Sequence, residues 1–111
     1  MRKRVKQVNQ LVKKTLGKII LEEFSKPEGT LITITRVETT PNLIKTKVFI
    51  NIIPEEKTKK IIESLQKEVY HIQQKLNRKL KIRPVPKIIF KLDKSVEEAA
   101  KIEKILAKLK K

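Results

Sequence analysis

The sequence predicts a small α+β domain with elements in the order α-β-β-α-β-α. Two long segments carry apolar residues at helical spacing, and β-branched runs with turn chemistry lie between them. No repeat, low-complexity tract or linker divides the 111 residues, so residues 1–111 read as one domain. With 39% hydrophobic but only 4% aromatic residues, its core must be built from Ile, Leu and Val.

From Val5 to Phe24 the apolar positions are Val5, Val8, Leu11, Val12, Leu16, Ile19, Ile20 and Phe24, which keeps one helical face apolar for several turns. Gly17 lies inside that helix and points to close packing or a local bend; Pro27 bars its continuation. Leu31 to Glu38 is β-branched and reads as a strand. Thr39-Thr40-Pro41-Asn42 is turn chemistry, with Asn42 suited to a left-handed backbone. Leu43 to Ile53 completes a hairpin, with Ile44, Thr46, Val48, Ile50 and Ile52 facing the helices and Lys45, Lys47, Phe49 and Asn51 facing away.

Pro54-Glu55-Glu56 is expected to open a second long helix, with the proline early and acids near the positive end of its dipole. Its apolar stripe is Ile61, Ile62, Leu65, Val69, Ile72, Leu76 and Leu80. Arg83-Pro84-Val85-Pro86 is non-helical, and Lys87 to Leu92 reads as a third strand. Ser95 with Glu98 forms a capping box for a last helix that buries Ala99, Ile102, Ile105, Leu106 and Leu109. The helices are expected on one face of a three-stranded sheet.

Few residues are suited to catalysis. With no cysteine and His71 as the single histidine, neither a disulfide framework nor a zinc site is expected. Gly17 and Gly29 cannot form a phosphate-cradling loop. The acidic pairs Glu22-Glu23 and Glu55-Glu56 sit near helix ends in polar surroundings, and no serine has a base at diagnostic spacing. The reading is a non-enzyme with no cofactor and no metal. No run approaches the roughly 18 apolar residues of a membrane span, and the basic N-terminus lacks a following apolar region, so a cytoplasmic location is expected.

The charge is more informative. Residues 1–20 hold seven cations and no acid, and residues 75–94 hold eight cations against Asp93. These stretches account for +14 of the formal +16, leaving the other 71 residues almost neutral. Such self-repulsion destabilises the compact state, and its natural complement is a polyanion, nucleic acid first. The candidate contacts are Arg2, Lys3, Arg4 and Lys6 at the start of the first helix, and Lys75, Arg78, Lys79, Lys81 and Arg83. Lys45 and Lys47 join them from the outward face of the second strand. Arg83, fixed before Pro84 and Pro86, is the strongest single candidate. Among the aromatics only Phe49 suits base stacking; Phe24, Tyr70 and Phe90 read as core or helix surface. Binding should therefore lean on phosphate charge and shape.

Thr33-Ile34-Thr35-Arg36-Val37-Glu38, Pro41-Asn42-Leu43, Leu65-Gln66 and the run Leu80-Lys81-Ile82-Arg83-Pro84-Val85-Pro86-Lys87-Ile88-Ile89-Phe90, followed by Asp93, resemble the ribosome-binding factor A family. The resemblance extends from about Arg4 to Leu109. It implies a type II KH-like fold and binding of the small ribosomal subunit and its rRNA, assisting 16S rRNA maturation and late subunit assembly; the free chain is expected to be a monomer. The chain departs from the family pattern at Glu68-Val69-Tyr70, which stands where an Ala-x-Gly kink is usual, and at Asn42, where Asp is common. Two other readings remain: a general KH-type nucleic-acid binder, and a basic adaptor for an acidic protein or anionic membrane surface. The membrane version fits poorly, because the apolar face of the first helix is needed for the core and there is no Trp to anchor it.

Overall fold

The helical spacing from Val5 to Phe24 produces α1, Arg2–Glu23. A computed structural model describes residues 2–94, apart from the side chain of Arg2; the capped last helix expected from Ser95 lies outside the described residues. After α1 come β1 (Leu31–Thr39), β2 (Lys45–Ile53), a 3₁₀ turn (Glu55–Lys57), α2 (Thr58–Lys79) and β3 (Lys87–Leu92). The sheet order is β1-β2-β3, with β1 antiparallel and β3 parallel to the central β2. The α-β-β-α-β succession is as expected. Both described helices pack on one face, α1 chiefly across β1 and α2 across β3 and β2.

The aliphatic core forms between those layers. Val12 and Leu16 of α1, Val48 and Ile50 of β2, and Ile61, Leu65 and Leu76 of α2 belong to one buried cluster. Each such side chain removed from water contributes about 1.5–3 kcal/mol, which is how a chain with so few aromatics holds together. Phe90 is the aromatic among the buried core positions, on the helix-facing side of β3.

Four local expectations are corrected. Gly17 marks no close approach: a Cβ there would meet nothing within 4 Å, and α1 is helical through it. The left-handed residue of the hairpin turn is Leu43 (φ 62°), not Asn42. Asn42 works through its side chain, whose Oδ1 accepts the Ile44 N–H at 3.1 Å and the Thr40 hydroxyl at 2.6 Å. Ile44 does not face the helices. It precedes β2, where alternation has no hold, and stands 56% exposed while its carbonyl accepts the Lys87 N–H. Pro54 opens the 3₁₀ turn rather than α2, whose first residue follows Lys57 without a side-chain cap. The first helix ends before Pro27 as expected, with the Phe24 N–H closing onto the Ile20 carbonyl.

Two further features shape the surface of the domain. α2 is unbroken through Glu68-Val69-Tyr70 because that stretch has no helix breaker and Val69 keeps the apolar stripe in phase. In β1 a bulge lies between Ile34 and Arg36. The extra residue, Thr35, re-phases the strand so that Ile32, Ile34 and Val37 face the helices while Arg36 falls opposite Phe49 on the other side.

Candidate nucleic-acid interface

Two polar ties bring the basic stretches to one end of the sheet, where β1 finishes and β2 and β3 begin. The first is Asn9 of α1. Its Oδ1 accepts the backbone N–H of Thr39 at 2.9 Å and the Thr39 hydroxyl at 2.5 Å, and the Thr39 and Thr46 hydroxyls lie 3.0 Å apart. This pins the N-terminal half of α1 to the last residue of β1. Lys6, Arg4 and Lys3 project beyond it, about 1.5 Å of rise per residue, and all three are exposed.

The second tie is Gln73 of α2. Its Oε1 accepts the Ile88 N–H at 2.8 Å, and its Nε2 donates to the Pro86 carbonyl at 3.2 Å and to Asn77 Oδ1 at 3.0 Å. The C-terminal end of α2 is thereby fixed at the start of β3. Arg78, Lys79 and Lys81 are exposed there. Lys45 and Lys87 are direct neighbours across β2 and β3, both exposed on the face of the sheet away from the helices.

The expected contacts therefore divide. Lys3, Arg4, Lys6, Lys45, Arg78, Lys79 and Lys81 share this end, and Arg2 begins α1 beside them. Lys47 lies one step further along the open face, opposite Glu38 of β1. Lys75 lies where α1 crosses α2, in an ion pair with Glu23 at 3.1 Å. Arg83 is exposed at the basic end, but its guanidinium is engaged: it donates to the carbonyls of Leu80 and Ile82 at 2.7 Å each and of Asn77 at 3.2 Å. It closes the end of α2, a role that residue type and flanking prolines do not reveal. His71 is exposed on α2, its ring edge-on to that of Tyr70 at 5.7 Å.

The two helices treat their cations differently. Arg78 and Lys79 sit in the last turn of α2, where the negative end of the dipole stabilises them. The first turn of α1 has no acid, and Lys3 and Arg4 oppose its dipole at roughly 0.3–1 kcal/mol each at low salt. Lys45 and Lys87 also repel each other as a like-charged cross-strand pair. Arg36 is not among the expected contacts. Its guanidinium stacks over the Phe49 ring at 4.0 Å, with Glu38 3.7 Å from its Nε. A strict two-residue alternation counts Arg36 with Ile32 and Ile34, so only the bulge reveals it.

Comparison with known proteins gives a consistent result. The family model described as ribosome-binding factor A matches residues 4–106. Ribosome-binding factor A of Halothermothrix orenii is 34% identical over 110 residues, covering 98% of this chain and 90% of the relative. That of Caldanaerobacter subterraneus subsp. tengcongensis is 36% identical over 113 residues, covering 100% and 93%. The fold resembles the crystal structure of ribosome-binding factor A from Thermus thermophilus (TM-score 0.68, 16% identity, covering 82% of this chain and 97% of that one). It also resembles a Thermus thermophilus homology model fitted into the cryo-EM map of a 30S complex (TM-score 0.65, 18% identity, covering 78% and 91%).

Proposed function

Because this chain belongs to the ribosome-binding factor A family, we propose that it binds the small ribosomal subunit through ribosomal RNA, using the basic end of the domain. In this reading it assists 16S rRNA maturation and late assembly of the subunit as a binding factor rather than a catalyst. The observation that carries the RNA part is the placement of Lys3 and Arg4 against the dipole of α1, at the same end as the Lys45–Lys87 pair. Neither arrangement benefits the free protein, and both become favourable once phosphates supply the missing negative charge. The Thermus relative fitted in a 30S complex supports the small subunit as the partner.

Cosedimentation from lysate across a salt series tests this. The wild-type chain should travel with the small-subunit peak at low salt. A combined Lys3→Ala, Arg4→Ala and Lys6→Ala variant should leave it at markedly lower salt, while Lys59→Ala with Lys60→Ala, at the opposite end of α2, should behave as wild type. Recovery with free RNA of any kind would favour a general nucleic-acid binder. Recovery with an acidic protein or with vesicles would contradict the proposal.

A further inference from the structure

The face of the sheet that the helices leave open carries a second, different constellation. One row across the three strands reads Arg36, Phe49, Lys91, with Arg36 paired to Phe49 across β1 and β2, and Phe49 to Lys91 across β2 and β3. The central carbon of the Arg36 guanidinium lies over the Phe49 ring, 4.0 Å from its centroid, and more than half of the Arg36 side chain is exposed. Lys47 lies in the adjacent row. Two acids stand nearby. Glu38 lies within ion-pair distance of Arg36, and Asp93 is buried with a carboxyl oxygen 2.5 Å from the Thr35 hydroxyl.

That last contact explains how the row is made. The bulge residue Thr35 donates to Asp93, its Oγ1 also lies 3.2 Å from the Phe49 carbonyl, and the Asp93 N–H donates to the Ile50 carbonyl at 2.8 Å. The bulge is thus bolted to the central strand and to the end of β3. Its effect is to turn Arg36 out of the helix-facing row and onto an aromatic ring. Bulges commonly re-aim a side chain next to a functional site. A guanidinium backed by an aromatic ring offers its outer plane for a nucleobase, and flanking lysines supply the charge that holds the strand beside it.

We propose that Arg36 on Phe49 is a stacking platform for an unpaired nucleotide of RNA, with Lys47 and Lys91 engaging the adjoining phosphates. The proposal deepens the RNA-binding reading, on which it rests, by separating two modes. The basic end contacts backbone without regard to bases, and the open face takes a base. Thr35 is a positioning residue in this arrangement.

The test compares two polyanions on the full chain: single-stranded oligoadenylate, which has bases, and inorganic polyphosphate, which has none. Phe49→Leu keeps apolar volume and removes the ring; Arg36→Lys keeps charge and removes the plane. Arg36 is a surface residue, so its variant stands even if Phe49→Leu alters packing, and thermal melts identify that case. Each variant should weaken oligoadenylate binding about 5- to 150-fold, the range for one stacked base, and leave polyphosphate binding unchanged. Thr35→Val should weaken oligoadenylate binding in the same direction, through displacement of Arg36. Unchanged oligoadenylate binding in Arg36→Lys overturns the platform, as does equal weakening on both probes. Displacement of oligoadenylate by oligoglutamate from wild type but not from Arg36→Lys would overturn it in favour of an acidic protein. If the wild-type chain binds neither polyanion, the RNA-binding reading itself falls; if it binds both and only the platform variants are silent, the platform alone does.

Discussion

Arg83 closes the C-terminal end of α2 with bonds to three main-chain carbonyls, so its truncation removes charge and cap together. A binding loss in Arg83→Ala would be uninterpretable without a stability measurement, and the cleaner residues at that end are Lys79 and Lys81. Gly17 offers the opposite case, a position whose residue type the described fold does not require. It lies within the helical span of α1, lines a shallow cavity of about 300 Å³ between α1 and β1, and has open space where a side chain would start. Gly17→Ala should therefore stabilise the domain by about 1 kcal/mol, through helix propensity and the reduced freedom of the unfolded chain. A chemical-denaturation midpoint checks this, and a lower midpoint would mean that α1 needs the glycine for a reason other than packing.

At the scale of elements, the helices and strands were legible because their apolar residues keep period. The stripe Leu65, Val69, Ile72 and Leu76 carries α2 unbroken through Glu68-Val69-Tyr70. Three of the four corrected expectations fall where period stops: Ile44 before β2 begins, the left-handed position at Leu43, and Pro54 in a 3₁₀ turn. The bulge at Thr35 is equally hidden in the sequence, since a one-residue insertion flips every later side chain to the other face and leaves no trace in composition. The start of α1 shows function opposing local stability. Lys3→Glu with Arg4→Glu should raise the melting temperature of the free protein in low salt, because acids there complement the dipole and relieve the net positive charge. The same pair should weaken small-subunit binding. Thermal melts and sedimentation on one sample read both signs, and parallel losses of stability and binding would show that the cations serve the fold.

For the whole molecule, the charge partition was visible in the sequence, but its geometry was not. Two stretches more than fifty residues apart meet at one end of the sheet because Asn9 holds α1 to Thr39 and Gln73 holds α2 to Ile88. Neither tie can be read from spacing, since each joins a helix to a strand through a single amide side chain. The same geometry divides the cations by role: Lys75 pairs with Glu23, Arg83 caps a helix, and Lys3, Arg4, Lys6, Lys45 and Lys81 stand exposed at the shared end. The most direct measurement is the slope of log affinity against log salt for the purified chain on small ribosomal subunits. Each phosphate contact contributes roughly 0.7–0.9 to that slope, so replacing Lys3, Arg4 and Lys6 by alanine should flatten it by about 2 to 3. Replacing Lys59, Lys60 and Lys67, which lie away from the basic end, should leave it unchanged. Equal flattening by both sets would mean that total charge, not its concentration at one end of the sheet, governs binding.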